Sequence, residues 1–556
     1  MSALLLPRTA SPEAVLSQLA REARRGRLNP VAQHDYGLAL LTSGHHGESV
    51  EHLARAVRLA PRNHVYHTNY AAALHQVGRW NEGLWHATQA YELNAHHALA
   101  AVNVAGFYYW FGETDEAVRW YDRAIELDPG HWRAHWMRLF MLDFLPISAE
   151  RALAERRAFS DAFEPALIPH WPTHANDPDP ERRLRIGFTG GDFRQHSSSY
   201  MWGPLFEHID RDRFEVFAYA HTTREDAYTA WFRSVTNGWR DVSRCHDDRV
   251  LAAQIVADGI DVLVDLGTFS ENAHLGAHLY KPAPVSLTAW GHLTGTGLRC
   301  MDGLLVDEIM VPPGREWEMT EQPAYVPYAL GWYRPKHEVV DLVPRPERPL
   351  TFGYLGRIQK LDDPTVALWA EVLHAYPESR LILKDVAYMQ ERSAARTLER
   401  FEAWGIAPAR IELRGGSDRV THLATYHDVD VALDPLPQGG GATTLEALQM
   451  GVPTVTLRGE RLVRRVSAST VTVAGHPEWV AENVHEYVEI AGRIVEARGP
   501  QIRERFLESH ICDGAARTRA FEAAVRHLWQ AWCTRHTLCT TDTVAAILPR
   551  SHTGVA

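Results

Sequence analysis

A superhelix of paired helices followed by two doubly wound α/β domains is the fold class predicted for this chain, and three features of the sequence predict it. The N-terminal region repeats itself with a period of 34 residues, after Pro172 the pattern changes from helical to alternating strand and helix, and a second break at Pro344–Pro349 starts that alternation again.

The repeats come first. A shift of 34 residues superimposes Gly44, Gly78 and Gly112, then Ala56, Ala90 and Ala124, then Leu59, Leu93 and Leu127, with Pro61 matching Pro129. Two antiparallel helices need a Gly near the turn between them, a small Ala where they cross and a Pro where the second one stops. The period is that of tetratricopeptide repeats. Three units begin near Pro30, His64 and Ala98, a partial helix from Pro12 to Gly26 caps the front, and Trp132–Phe163 is expected to continue as helix toward the next domain. Asn69 and Asn103 fall at equivalent places in their units, where the first unit has Asp35. On first helices lining a concave face, such a row would grip an extended peptide by its backbone, since an amide offers both donor and acceptor. Two polar residues on an exposed helix satisfy the same spacing, so both readings stand.

Beyond the Pro-rich linker THANDPDPERR, strands are predicted at Leu184–Thr189, Phe214–Ala220, Ile260–Leu266, Val285–Trp290 and Gly303–Val306. After PRPERP a second set follows at Leu350–Leu355, Arg380–Lys384, Arg410–Arg414, Val429–Leu433 and Pro453–Leu457. The expected domains are 1–163 for the repeats and their caps, 164–180 for a linker, 181–343 and 344–540 for the two α/β lobes with terminal helices, and 541–556 for a disordered tail. Such sheets bind ligands at the carboxyl ends of their strands, and two facing ones enclose a cleft.

Composition narrows the function. Asp and Glu (69) outnumber Lys and Arg (57), giving a net charge of −12 without a basic block, which argues against nucleic acid as partner. Five scattered cysteines contain no C-x-x-C pair and argue for a reducing compartment, and no apolar run has the length of a signal sequence core or a membrane span. A cytoplasmic protein without membrane contact is expected. No metal is expected either. The pairs His131 with His135 and His274 with His278 lack an acidic third ligand at a recognisable spacing; they and the group Cys533, His536 and Cys539 are read as surface or packing residues, and Asp261 and Asp265 as ending or satisfying their strand.

The chemistry concentrates in the second lobe. VDVALDPLP leads into QGGGATTLEALQMGVPTV, where Gly439, Gly440 and Gly441 let a ligand approach the backbone and Thr443 and Thr444 open a helix whose free N–H groups favour phosphate. Glu446 is placed to accept from a ribose diol. Arg357 and Lys360, just past the strand LTFGYLG, supply positive charge for a diphosphate leaving group, with Lys360 the stronger candidate.

These segments, with RLRIGFTGGDFRQHSSSY, DGIDVLVDLGTFS, KPAPVSLTAWGHLTGTGLRCMDGLLVDE, GERLVRRVSAS and EYVEIA, occur in an order that resembles the O-linked N-acetylglucosamine transferases with tetratricopeptide repeats and their SPINDLY-type relatives, over nearly the whole chain. The resemblance implies a GT-B type pair of lobes, acceptor side first and nucleotide-sugar side second. It further implies an inverting, metal-independent transfer of N-acetylglucosamine from UDP-GlcNAc to Ser or Thr hydroxyls of proteins held in the repeat groove. It places His196 beside the donor sugar and acceptor, Lys360 on the diphosphate, Thr443 and Thr444 on the phosphates, Glu446 near the ribose, and Asn69 and Asn103 in an asparagine ladder that binds the acceptor. The chain departs from the family at Gly441 and Ala442, at Gly356 and Arg357, and at His292 and Leu293, all around the donor. The same fold with GDP-fucose or UDP-glucose as donor, and a non-catalytic repeat scaffold, are the alternatives.

Overall fold

The computed structural model describes residues 12–547 except positions 223, 246, 271–272, 292, 332–339 and 346. His292 therefore lies outside the described residues, as does 548–556 of the expected tail; 541–547 continue the helix Gly514–Ile547. The chain divides into two units, Met1–Leu145 with Ala387–Leu398, and Pro146–Val386 with Glu399–Ala556.

The first unit contains α1 (Pro12–Arg25), α2 (Pro30–Thr42), α3 (His46–Leu59), α4 (His64–Gln76), α5 (Trp80–Leu93), α6 (Ala98–Trp110), α7 (Thr114–Leu127) and α8 (Trp132–Met141). The first helices of the repeats start at the predicted residues. Gly44, Gly78 and Gly112 take φ of +80°, +76° and +77° in the turns that return the chain, a conformation a Cβ disfavours. Ala56, Ala90 and Ala124 are completely buried where the helices cross. The expected continuous helix from Trp132 to Phe163 is broken. Leu145, ahead of Pro146, is extended, because a proline disfavours helical geometry in the residue before it, and a new helix starts at Ala149 under a Ser148 cap. The segment Ala387–Leu398 belongs to this unit too: Arg392 bonds the Glu113 carboxylate at 2.6 and 3.0 Å and lies 5.3 Å from the Phe111 ring centroid. Nothing in the linear pattern announces that pairing.

The second unit holds both sheets. The first comprises β1 (Leu184–Gly190), β2 (Phe214–Ala220), β3 (Gly238–Asp241), β4 (Val262–Asp265), β5 (Val285–Thr288), β6 (Gly303–Val306) and β7 (Gln322–Tyr325), in the order β3-β2-β1-β4-β5-β6-β7. The second comprises β8 (Thr351–Tyr354), β9 (Arg380–Lys384), β10 (Ile411–Arg414), β11 (Val431–Leu433), β12 (Thr454–Leu457) and β13 (Val480–Ala481), in the order β10-β9-β8-β11-β12-β13. The ladders are parallel, and the central strands β4, β5 and β8 are buried throughout, as helices covering both faces require. The strand order reverses beside β1 in one sheet and beside β8 in the other, which puts a crevice at the carboxyl ends of β1 and β4, and of β8 and β11.

Two features hold the lobes together. Glu318 of the first and Arg465 of the second form a buried bidentate pair at 2.9 and 3.0 Å, flanked by Ser469 bonding Asp307 at 2.7 Å and Tyr328 sharing a hydrogen bond with Thr470 at 3.1 Å. The helix Gly514–Ile547 then returns to the first lobe, where Trp529 donates to the Asp179 carbonyl at 3.0 Å and Phe521 packs on Trp290 with ring centroids 5.2 Å apart.

Candidate active site

Seven of the sequence-predicted residues, His196, Arg357, Lys360, Gly441, Thr443, Thr444 and Glu446, follow the strands β1, β8 and β11 that border the two crevices. In the first lobe the loop after β1 ends at His196, which caps the helix Ser197–His208. Its Nδ1 lies 3.1 Å from Asp192 Oδ2 and 3.3 Å from the Ser198 amide, so both contacts converge on one ring nitrogen. Burial opposes the charged form of Asp192, but the His196 hydrogen bond and charge, with Arg194 and Arg357, outweigh it and hold the carboxyl below its usual range. Arg357 comes from the loop after β8, so its field on Asp192 joins the two crevices. Its side chain is exposed, whereas Lys360, at the end of the short turn Ile358–Lys360, is buried.

Lys360 donates from Nζ to the Gly439 carbonyl at 2.9 Å, which fixes it against the Gly-rich loop. Burial pulls its ammonium down to about 7; the nearby Asp434 carboxylate resists and Arg357 adds to the shift. Asp434, at the end of β11, is itself pushed up by burial, against hydrogen bonds from Ser467, Gly440 and Thr456. Gly440 has no room for a side chain, since a Cβ there would lie 2.5 Å from both the Thr443 and Thr444 hydroxyls.

The two threonines differ. Thr444 is buried, donates to the Gly440 carbonyl at 3.1 Å and shares a hydrogen bond with Ser467 at 3.2 Å, so its hydroxyl shapes the loop. Thr443 is half-buried, and its carbonyl accepts from Tyr426. The helix Ala442–Gln449 begins at Gly441 with no side-chain cap, leaving its first amides for an anion.

Glu446 is buried on that helix and already engaged. Arg419 bonds one carboxylate oxygen and His422 the other at 3.1 Å, and together they overcome the effect of burial and keep its pKa low. The Arg419 guanidinium lies 5.4 Å from the centroid of the Tyr200 ring of the first lobe. A ribose held by Glu446 would therefore share the carboxylate with two cationic or donor groups. Sequence reasoning missed Asp192, Arg419, His422, Asp434 and Ser467. Asp434 was visible as the acidic residue ending a strand in VDVALDPLP; Arg419 and His422 lie in an ordinary polar helix that no motif marks.

The Asn pair is bound up in the packing of the repeats. Asn69 Nδ2 lies 2.8 Å from His34 Nε2, and Asn103 Nδ2 donates to the Thr68 carbonyl at 3.1 Å, so each ties its helix to the preceding first helix. Replacing both by Ala is expected to raise KM for a protein acceptor without changing nucleotide affinity, the pattern of lost uniform binding. A lower melting temperature at unchanged KM would make them packing residues only. Asp261 accepts from Arg182 and the Arg185 amide, and Asp265 from the amides of Gly267 and Thr268, so both serve the strand and its exit loop. Among the described residues no three His, Cys, Asp or Glu side chains cluster as a metal site, and no helix is long and apolar enough to cross a membrane.

Residues 140–337 and 342–510 match the family described as Glycosyl transferase family 41. The Solanum lycopersicum protein named "Probable UDP-N-acetylglucosamine--peptide N-acetylglucosaminyltransferase SPINDLY" is 30% identical over 425 residues, 73% of this chain and 45% of its own length. The Arabidopsis thaliana relative of similar name, SEC, is 26% identical over 377 residues, 63% of this chain and 38% of its own. The chain thus spans about half the length, or less, of these curated relatives. A mutant of the Thermobaculum terrenum O-GlcNAc transferase superposes with a TM-score of 0.84 at 29% identity, covering 95% of this chain and 100% of that one. With the family match extending across both lobes, well over half of its length, the chain belongs to glycosyl transferase family 41.

Proposed function

We propose that the chain is an inverting protein O-glycosyltransferase that moves N-acetylglucosamine from UDP-GlcNAc to Ser or Thr hydroxyls without a metal ion. The observation that carries this reading is Lys360, a buried ammonium fixed on the Gly439 carbonyl beside the uncapped start of the helix Ala442–Gln449. A diphosphate seated there meets a point charge and free amides together. In the transfer, the acceptor oxygen bonds the anomeric carbon as the bond from that carbon to the diphosphate breaks. Negative charge grows on the departing oxygen, where Lys360 and the helix amides stabilise it. On the acceptor side, His196 Nδ1 is engaged by the Asp192 carboxylate and the Ser198 amide, which leaves Nε2 as the ring nitrogen available to an incoming hydroxyl. The names of the relatives, which refer to UDP-N-acetylglucosamine and peptide acceptors, support the choice of donor and acceptor.

Titration calorimetry with UDP, UDP-GlcNAc, GDP and GDP-fucose, followed by mass spectrometry of acceptor protein, tests the proposal. UDP-GlcNAc is expected to bind and add one N-acetylhexosamine per site; exclusive binding of GDP-fucose would move the chain to a fucosyl donor. Activity is expected to survive a chelator in full, and a strict requirement for a divalent ion would overturn the metal-free chemistry. Glu446→Ala is expected to weaken UDP by roughly 1 to 3 kcal/mol, through lost ribose contacts and the buried donors of Arg419 and His422 left unmatched. Unchanged affinity would put the nucleotide elsewhere.

A further inference from the structure

A concavity of about 610 Å³ lies between the end of α1 and the face of α3, on different helices from those that carry Asn69 and Asn103. Arg24 and Arg27 line one side, Arg55 and Arg58 the other, with His52 and Leu28 between them. Each arginine pair is spaced by three residues, so both members of a pair project from one side of their segment. Among the described residues none of the four has a carboxylate at ion-pairing distance. The floor is fixed: Gln33, fully buried, donates to the Ala23 carbonyl at 2.7 Å, while its oxygen lies 2.8 Å from His52 Nδ1 and accepts from Arg55 at 3.4 Å. In a chain of net charge −12, four unopposed guanidinium groups on a preformed concavity are a local reversal of the overall charge.

We propose that this concavity binds an acidic polypeptide segment, Asp- or Glu-rich with an apolar residue among the acids. Guanidinium forks match carboxylates in geometry, and Leu28, 84% exposed, offers an apolar seat beside them. Single-stranded nucleic acid fits less well, because among the described residues His52 carries the one ring that lines the concavity, too little to stack successive bases. This surface is independent of the donor chemistry.

The test is fluorescence anisotropy of a labelled ten-residue peptide alternating Glu and Leu, titrated with the full chain, against the same peptide with Gln for Glu. The Glu peptide is expected to bind, to weaken as salt rises, and to lose about tenfold or more in affinity in the double variant Arg24→Glu with Arg58→Glu. Both positions are exposed, so melting temperature and UDP affinity are expected to stay as in the parent; Arg24→Gln with Arg58→Gln should give a smaller loss in the same direction. Absence of binding, equal binding of the Gln peptide, or full binding by the charge-reversed variant would overturn the proposal. Tighter binding of an oligothymidylate than of the Glu peptide would overturn it in favour of a nucleic-acid surface.

Discussion

Lys360→Ala is expected to reduce sugar transfer by roughly 10²- to 10³-fold with the fold intact, the loss typical when one preorganised donor to developing charge is removed. The loss should fall mainly on kcat, because the charge matters most as the diphosphate departs. Turnover close to the parent's would take Lys360 out of the mechanism. The residue also carries a signature in pH. With its ammonium pulled down to about 7, Lys360 is partly neutral above that value, and a bound diphosphate restores the proton. UDP binding at pH 8 is therefore expected to take up protons, seen as a dependence of calorimetric heat on the buffer's ionisation enthalpy, and Lys360→Met is expected to abolish the uptake. Stability follows the same linkage. Between pH 7 and the ordinary lysine value of 10.5 the unfolded chain holds the proton that the folded one releases, so this group makes the folded state more stable as pH rises. Lys360→Met should accordingly be more stable than the parent at pH 6, and the gap should close as pH climbs toward 10.

Glu318→Ala is expected to destabilise the second unit by about 3 to 5 kcal/mol, the effect of stripping one partner from a buried ion pair. Both oxygens of Glu318 face the Arg465 guanidinium, and one also accepts the Leu462 amide at 2.8 Å. Removing the carboxylate leaves a buried cation and an unmatched amide, with the Met310 carbonyl among the remaining Arg465 acceptors. Urea unfolding measures the loss. A double variant, Glu318→Leu with Arg465→Met, should regain most of it, since an apolar pair of similar volume removes the desolvation along with the attraction. A single variant that loses less than ~1 kcal/mol would mean that the pair is solvated and unimportant to how the lobes hold together.

What the sequence made legible follows the strength of local signals. The repeats were readable because Gly44, Gly78 and Gly112 perform one backbone task three times, and a period survives where any single residue would not. The central strands were readable because burial on both faces forces continuous apolar runs such as IDVLVDL. Three of the four edges were not, β10 being the exception: GWRD in β3, QPAY in β7 and the two residues of β13 are short and mixed, since an edge strand has less surface to bury. In the candidate site, Lys360 and the Gly-rich turn stood out because they follow strands or start a helix, whereas His196 was singled out only by the family resemblance. Asp192, Arg419 and His422 act through partners 4 to 27 positions away in the chain, and only the fold brings such pairs together.

The return of the helix Gly514–Ile547 to the first lobe has a consequence for how the chain is made. Arg526 and Pro180, bonded at 2.8 Å, stand 346 positions apart. At ribosomal rates of about 5 to 20 residues per second, roughly 20 to 70 s separate the synthesis of the first lobe's opening strand from that of the helix that covers it. During that interval Phe188 and Trp290, both packed on Phe521 in the finished protein, have no such cover. The nascent first lobe is therefore a natural client for a holding chaperone, and a ribosome stalled shortly before residue 514 would display an aggregation-prone face that the completed molecule hides.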